Sequence, residues 1–240
     1  MGILKKVREE NVKYENRTPH NFCDRWCEMC PQETRDRCAV YEESLDKSLK
    51  HMSNGEDPNS WEAVKQDMTG SLERSMELLK EMAEEQGIDI EAEKDPAEEE
   101  EERARQEKVK SHPLSKLAVE YLTAVSGFLK EFSDEDEGNA LADALEVLIW
   151  YHTLLPPKVY RLLDGLFNPI EEGNVRLYDA VAQMDMIKAG LLRSGEALKN
   201  IAEEENMRNS ALRLANMIHK MSGMIELLER DIDEGVFGEL

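Results

Sequence analysis

The chain has 240 residues, 40% hydrophobic and 34% charged, with 52 acidic against 30 basic side chains and a net charge of −22. That length allows one sizeable core with an appendage. A surface this acidic, whose longest basic clusters are Lys5–Lys6 and Arg103–Arg105, repels phosphate backbones and anionic lipid, so neither nucleic acid nor a membrane surface is an expected partner.

The opening MGILKKVREENVKYENRTP has no apolar core and no small-residue cleavage site, and no later stretch approaches eighteen apolar residues. The expectation is a cytoplasmic protein. All four cysteines follow within sixteen residues, Cys23, Cys27, Cys30 and Cys38, in FCDRWCEMCPQETRDRC, spaced C-x3-C-x2-C-x7-C. Thiolates are strong ligands for iron and zinc, and in a reducing compartment such a cluster favours metal over disulfides. On a helix, Cys23, Cys27 and Cys30 would share one stripe at i, i+4 and i+7, with Cys38 returning through the polar turn Pro31–Asp36.

We read these four residues as a metal-binding and cofactor-binding site. A [4Fe–4S] cluster suits four thiolates in one compact segment with Pro31 directly after Cys30. Zn2+ is the alternative, although only Cys27–Cys30 forms a C-x2-C knuckle. Disulfides, copper(I) and a reactive thiol pair complete the set. The C-x3-C-x2-C spacing also occurs in radical-SAM enzymes, but those use a (β/α) barrel, and this chain has no strand–helix alternation. Phe22, Trp26 and Tyr41 are expected to shield the sulfurs, and Arg25, Arg35 and Arg37 to offset their charge. Electron transfer, redox sensing and a purely structural staple all remain open.

A short helix is expected over Cys38–Met52, stopped by SNGEDPNS. Asn59 or Ser60 then caps a long helix from Trp61 to Gly87, whose Val64, Met68, Leu72, Met76, Leu79 and Met82 recur at three and four residues and predict a buried face. Residues 81–107 carry thirteen acids against three bases, which reads as a connector or exposed helix. Pro113 opens a helix through Phe132. ALADALEVLIWYHTLL runs into Pro156–Pro157 and resumes as KVYRLLDGLF, so a sharp kink is expected. The last two helices carry heptad seams: Ala180, Met184, Ile187, Leu191, Ser194, Leu198 and Ile201 on one, and Met207, Ala211, Leu214, Ile218, Met221, Ile225 and Leu228 on the other.

No alternating β-branched run exceeds four residues. The expected fold is all-α, a multi-helix bundle with a small four-cysteine segment. The expected divisions are 1–52 (cysteine segment), 53–111 (long helix and acidic linker) and 112–240 (bundle). Within the bundle, the Glu-x-x-His pairs of a di-iron site are absent, since Ile149 and Asn216 precede His152 and His219 by three. His152 lies on an apolar stripe and reads as a hydrogen-bonded core residue. A bundle-cavity metal or ligand site near His152, Asp185 and Glu120 is a further alternative, with Glu146 and Glu196 as added carboxylates. Trp150–Tyr151–His152 is a candidate pocket wall, and Lys188 is the expected partner of a half-buried Asp185. Met217, Met221 and Met224 read as core filling.

CDRWCEMCPQETRDRCAVYE and ALEVLIWYHTLLPPKVYRLLDGL, with the WEAVKQDM helix between them, resemble an uncharacterised bacterial family that joins an N-terminal cysteine motif to a helical body. That resemblance implies architecture and attaches no activity. No catalytic residue is identified. A protein partner or a homo-oligomer is expected, and the chemistry of any small ligand is left open.

Overall fold

The computed structural model describes residues 2–15, 18–87, 89, 95–131, 139–168 and 175–235. Among these the regular elements are all helical: α1 (Ile3–Glu15), α2 (Gln32–Arg35), α3 (Ala39–Ser53), α4 (Trp61–Gln86), α5 (Pro96–Ser111), α6 (Pro113–Leu129), α7 (Asn139–Phe167), α8 (Val175–Ile201) and α9 (Arg208–Glu234). The fold is all-α. No described helix is long and apolar enough to cross a membrane. The acidic turn expected after Phe132 lies outside the described residues.

The chain divides into two compact units, one of Met1–Trp26 with Glu101–Leu240, the other of Cys27–Glu100. These limits differ from divisions at 52 and 111. In the first unit α6 packs on α7, α7 on α8, α8 on α9 and α9 back on α6, so four helices close a ring, with α1 laid against α8 and α9. The two heptad seams form its interior. On α8, Ala180, Met184, Ile187, Leu191, Ser194, Leu198 and Ile201 are all buried, and on α9 the seam from Ala211 to Leu228 is buried as well. Each helix thus turns one apolar stripe inward, as a period near 3.5 residues requires.

The helix through Pro156 and Pro157 is continuous. Proline removes an intrahelical hydrogen bond, yet Leu155, Val159, Leu162 and Leu163 around the pair are fully buried, and that burial offsets the loss. His152 is a core residue as expected, its Nδ1 lying 2.9 Å from the carbonyls of Leu148 and Ile149. Glu120, Glu146 and Glu196 are exposed, which keeps these carboxylates out of the bundle interior.

Helix α1 is fastened by polar contacts. Its first-turn N–H groups lack helical partners, and Asp233 of α9 accepts from the N–H of buried Leu4 at 2.9 Å. Arg8 donates to Asp185 (Nη2–Oδ1 2.6 Å) and to Glu229 (2.5 Å), while Lys188 pairs with Glu229 rather than with Asp185. The expected Lys188–Asp185 pair is therefore replaced. At i+3 Lys188 is near enough, but the guanidinium of Arg8 grips the carboxylate through two nitrogens. Burial pushes the Glu229 carboxyl up, but the hydrogen bonds from Lys188 and Arg8 outweigh it and the net shift is downward.

The second unit is built differently. Ser60 caps α4 by accepting from the Ala63 N–H, and Gly87 closes it in the left-handed conformation at φ 66°, both as expected. The α4 face turned to α3 is polar and small. Lys47 reaches Ser71, Arg74 reaches Glu43, and buried His51 bridges Glu56 and Asp67. The stripe expected to be buried, Val64, Met68, Leu72, Met76, Leu79 and Met82, is exposed instead, and Trp61 at the start of the helix is exposed with it.

Candidate functional site

The cysteine segment is not one helix. Residues Pro19–Asn21 and Cys27–Met29 form two separate 3₁₀ turns, and Arg25 between them is left-handed at φ 63°. A non-glycine residue in that region interrupts a helix, so Cys23, Cys27 and Cys30 do not share the helical stripe expected of them. Cys30 closes the second turn by donating its N–H to the Cys27 carbonyl at 3.2 Å. Pro31 then starts α2, and Cys38 begins α3 as its N-cap residue, its own N–H donating to Arg35.

All four cysteines are half-buried thiols outside any disulfide. The Cys23 thiol donates to the His20 carbonyl at 3.7 Å. Among the described residues no three His, Cys, Asp or Glu side chains are gathered so as to hold a metal ion. Cys23 belongs to the first unit, and Cys27, Cys30 and Cys38 to the second.

The residues just after Cys23 are anchored in the bundle, by contacts absent from the expectation. Asp24 accepts through its backbone carbonyl from the Trp150 indole at 3.1 Å. Its carboxylate accepts from the Tyr151 hydroxyl, from Arg193 Nη1 at 2.7 Å and from the Trp26 N–H at 3.1 Å. Arg193 Nη1 also donates to the Tyr151 oxygen at 2.5 Å. Trp26 is buried, stacked on Trp150 with centroids 5.5 Å apart and edge-on to Tyr151. Trp26 therefore packs on the bundle's aromatic pair rather than serving only as a sulfur shield. Burial, followed by the hydrogen bond to Asp24, pushes the Tyr151 phenol well above its usual range.

Of the other expected shields, Tyr41 carries Arg35 over its ring at 5.5 Å, and Phe22 lines an open cavity of about 880 Å³ in the bundle unit. Asn11, Tyr14, Arg161, Tyr178 and Asp179 line the same cavity. Arg161 and Asp179 form a two-bonded ion pair at 2.7 Å. Asn11 donates to the Tyr178 carbonyl at 2.9 Å, while its own Oδ1 is buried without a partner among the described residues. Trp150, Tyr151 and His152, the expected pocket wall, are not among the lining residues of this cavity.

Nearby Lys158 is half-buried beside the Met186 sulfur. Desolvation and the charges of Arg161 and Arg25 lower its amine below the usual lysine range, against an opposing pull from Cys23. No protein-family model, curated protein or solved structure matches the chain.

The recurring signal that sequence reading missed is Asp24. It sits between Cys23 and Arg25 with no periodic pattern to mark it, and its partners in the helical bundle lie 126, 127 and 169 residues away.

Proposed function

We propose that Cys23, Cys27, Cys30 and Cys38 bind a thiolate-held metal centre, a [4Fe–4S] cluster, whose role is to stabilise the fold around it. The observation that carries this reading is the poverty of the Cys27–Glu100 core. Among the described residues of that unit Ala63, Ala83 and His51 are the buried side chains, while Met29, Leu45, Leu49 and Met52 stay exposed with the α4 stripe. Helices of this kind gain little from packing, and small metal-binding units draw their folding energy from the ligand bonds. Thiolates that must be deprotonated to bind also benefit from a helix N-terminus, where Cys38 stands at the start of α3. A reducing, cytoplasmic setting is part of this proposal.

Zinc is the second reading, favoured by the tight Cys27–Cys30 turn, whose C-x2-C hydrogen bond resembles a knuckle. In that version the protein is a metal-stapled interaction module without redox chemistry. The chain's thiols would supply the ligands in either case, and no step of a reaction is assigned to them.

The test is anaerobic purification followed by iron, sulfide and zinc analysis with a visible spectrum. Iron and sulfide in equal amounts with a brown colour support the cluster, and one colourless zinc per chain supports the second reading. A metal-free protein whose thermal unfolding is unchanged by chelator and by Cys27→Ser/Cys30→Ser overturns both.

A further inference from the structure

We infer that the exposed apolar stripe of α4 is a docking face for a basic amphipathic helix of a partner protein. The stripe consists of Trp61, Met68, Leu72, Met76, Leu79 and Met82, all exposed, with Trp61 at 72% and Leu72 at 65%. At about 100° per residue these six positions fall within one third of the helix circumference, together with exposed Val64 and the polar Lys65 and Ser75, so they form one predominantly apolar band. From Trp61 to Met82 the band runs about 32 Å, the length of a partner helix of roughly twenty residues.

The band is not turned toward α3. That side of α4 holds Ala63, Asp67 and Ser71, two of which bond to α3 through His51 and Lys47. An apolar band of this extent on a soluble surface marks an interaction site. Three of its six members are methionines, whose unbranched, polarizable side chains adapt to helical partners of differing shape.

Charge decides what kind of helix fits. Between Cys27 and Glu100 the chain carries 22 acidic and 8 basic side chains, a net of −14. Glu62, Glu73 and Glu84, each eleven residues apart, line one edge of the band with Lys80 between them, because eleven residues return almost to the same helical angle, and that edge is net acidic. A second copy of this chain would bring α4, with seven acids and three bases, against an equally acidic α4. Like charges across a helical seam oppose such pairing, whereas lysines or arginines along a partner's edge would match the glutamate row. The inference uses no cysteine and stands whether or not the preceding segment holds metal.

The experiment uses the full chain and two labelled twenty-residue probes, an amphipathic Leu/Lys helix and a Leu/Glu helix of the same apolar pattern. The expected result is saturable one-to-one binding of the Leu/Lys probe with a blue shift in Trp61 emission, and at least tenfold weaker binding of the Leu/Glu probe. Leu72→Gln/Leu79→Gln, which leaves every charge in place, should weaken Leu/Lys binding at least tenfold with unchanged helical circular dichroism. Met68→Gln/Met76→Gln should do the same, as a second variant should the first lose structure. Unchanged affinity in a folded variant would mean attraction by charge alone and would overturn the inference. A native dimer in sedimentation that the glutamine variants dissociate would give the face to a second copy. Retention of the chain on phosphatidylcholine vesicles, lost in the same variants, would give it to lipid. Either result also overturns it.

Discussion

Replacing Asp24 by alanine tests how firmly the segment after Cys23 is held to the bundle. The carboxylate serves three donors: the Tyr151 hydroxyl, Arg193 and the Trp26 N–H. Arg193 is about half exposed (48%), so its share lies in the surface range of about 0–1 kcal/mol. Tyr151 is fully buried, and its hydroxyl proton loses its acceptor, which costs about 1–3 kcal/mol. The sum is a loss of about 1–4 kcal/mol, a fall in midpoint of roughly 2–4 °C for each kcal/mol in a chain of this size.

Near-ultraviolet circular dichroism is the suitable probe, because the stacked Trp26–Trp150 pair sits beside the lost carboxylate. Asp24→Asn keeps an acceptor oxygen and should lose about 1 kcal/mol. Since Asp24 and Tyr151 act on each other, Asp24→Ala combined with Tyr151→Phe should cost less than the two separate losses together, with a coupling of at least about 0.5 kcal/mol. Asp24→Ala unfolding within about 0.5 kcal/mol of the native chain, or strict additivity with Tyr151→Phe, would refute the reasoning.

Gly190→Ala should destabilise by about 1–3 kcal/mol in thermal unfolding, because its Cβ would lie 2.8 Å from the Tyr151 ring and 3.2 Å from Leu155, both fully packed. His112 caps α6 by accepting from the Leu114 N–H at 3.2 Å, and burial with the Lys108 charge lowers its pKa below the ordinary histidine value. The unfolded chain therefore binds this proton first as pH falls, so stability should decline below about pH 6.5, and His112→Asn, a good cap without titration, should remove that part of the pH dependence. His51 is the opposite case. Hydrogen bonds to Glu56 and then Asp67 raise its pKa, so its contribution is full below about pH 6.5 and disappears as pH rises through the folded value. Chemical-shift titration of the two imidazoles would show whether they move in opposite directions. Leu72→Gln/Leu79→Gln should change stability by no more than about 0.5 kcal/mol, and a larger loss in urea unfolding would mean that the α4 stripe is covered.

Periodicity and end signals were legible residue by residue. The seams of α8 and α9 lie buried where spacing put them, and Ser60, Gly87 and Pro113 mark helix ends as their chemistry dictates. His152 was readable as core from its apolar stripe. The cysteine segment was less legible. Spacing alone permits one helical stripe, whereas left-handed Arg25 and two 3₁₀ turns divide it, and no local pattern in FCDRWCEMC distinguishes those outcomes.

The amino-acid order by itself determined that the protein is helical and which faces of α8 and α9 are apolar, since both follow from contacts within a few residues. Tertiary structure alone decided the partners. Arg8 meets Asp185 across 177 residues and Asp24 meets Tyr151 across 127, and nothing local encodes such meetings. It also decided that the α4 band faces solvent, because a repeat of three and four specifies an apolar face without specifying what lies against it.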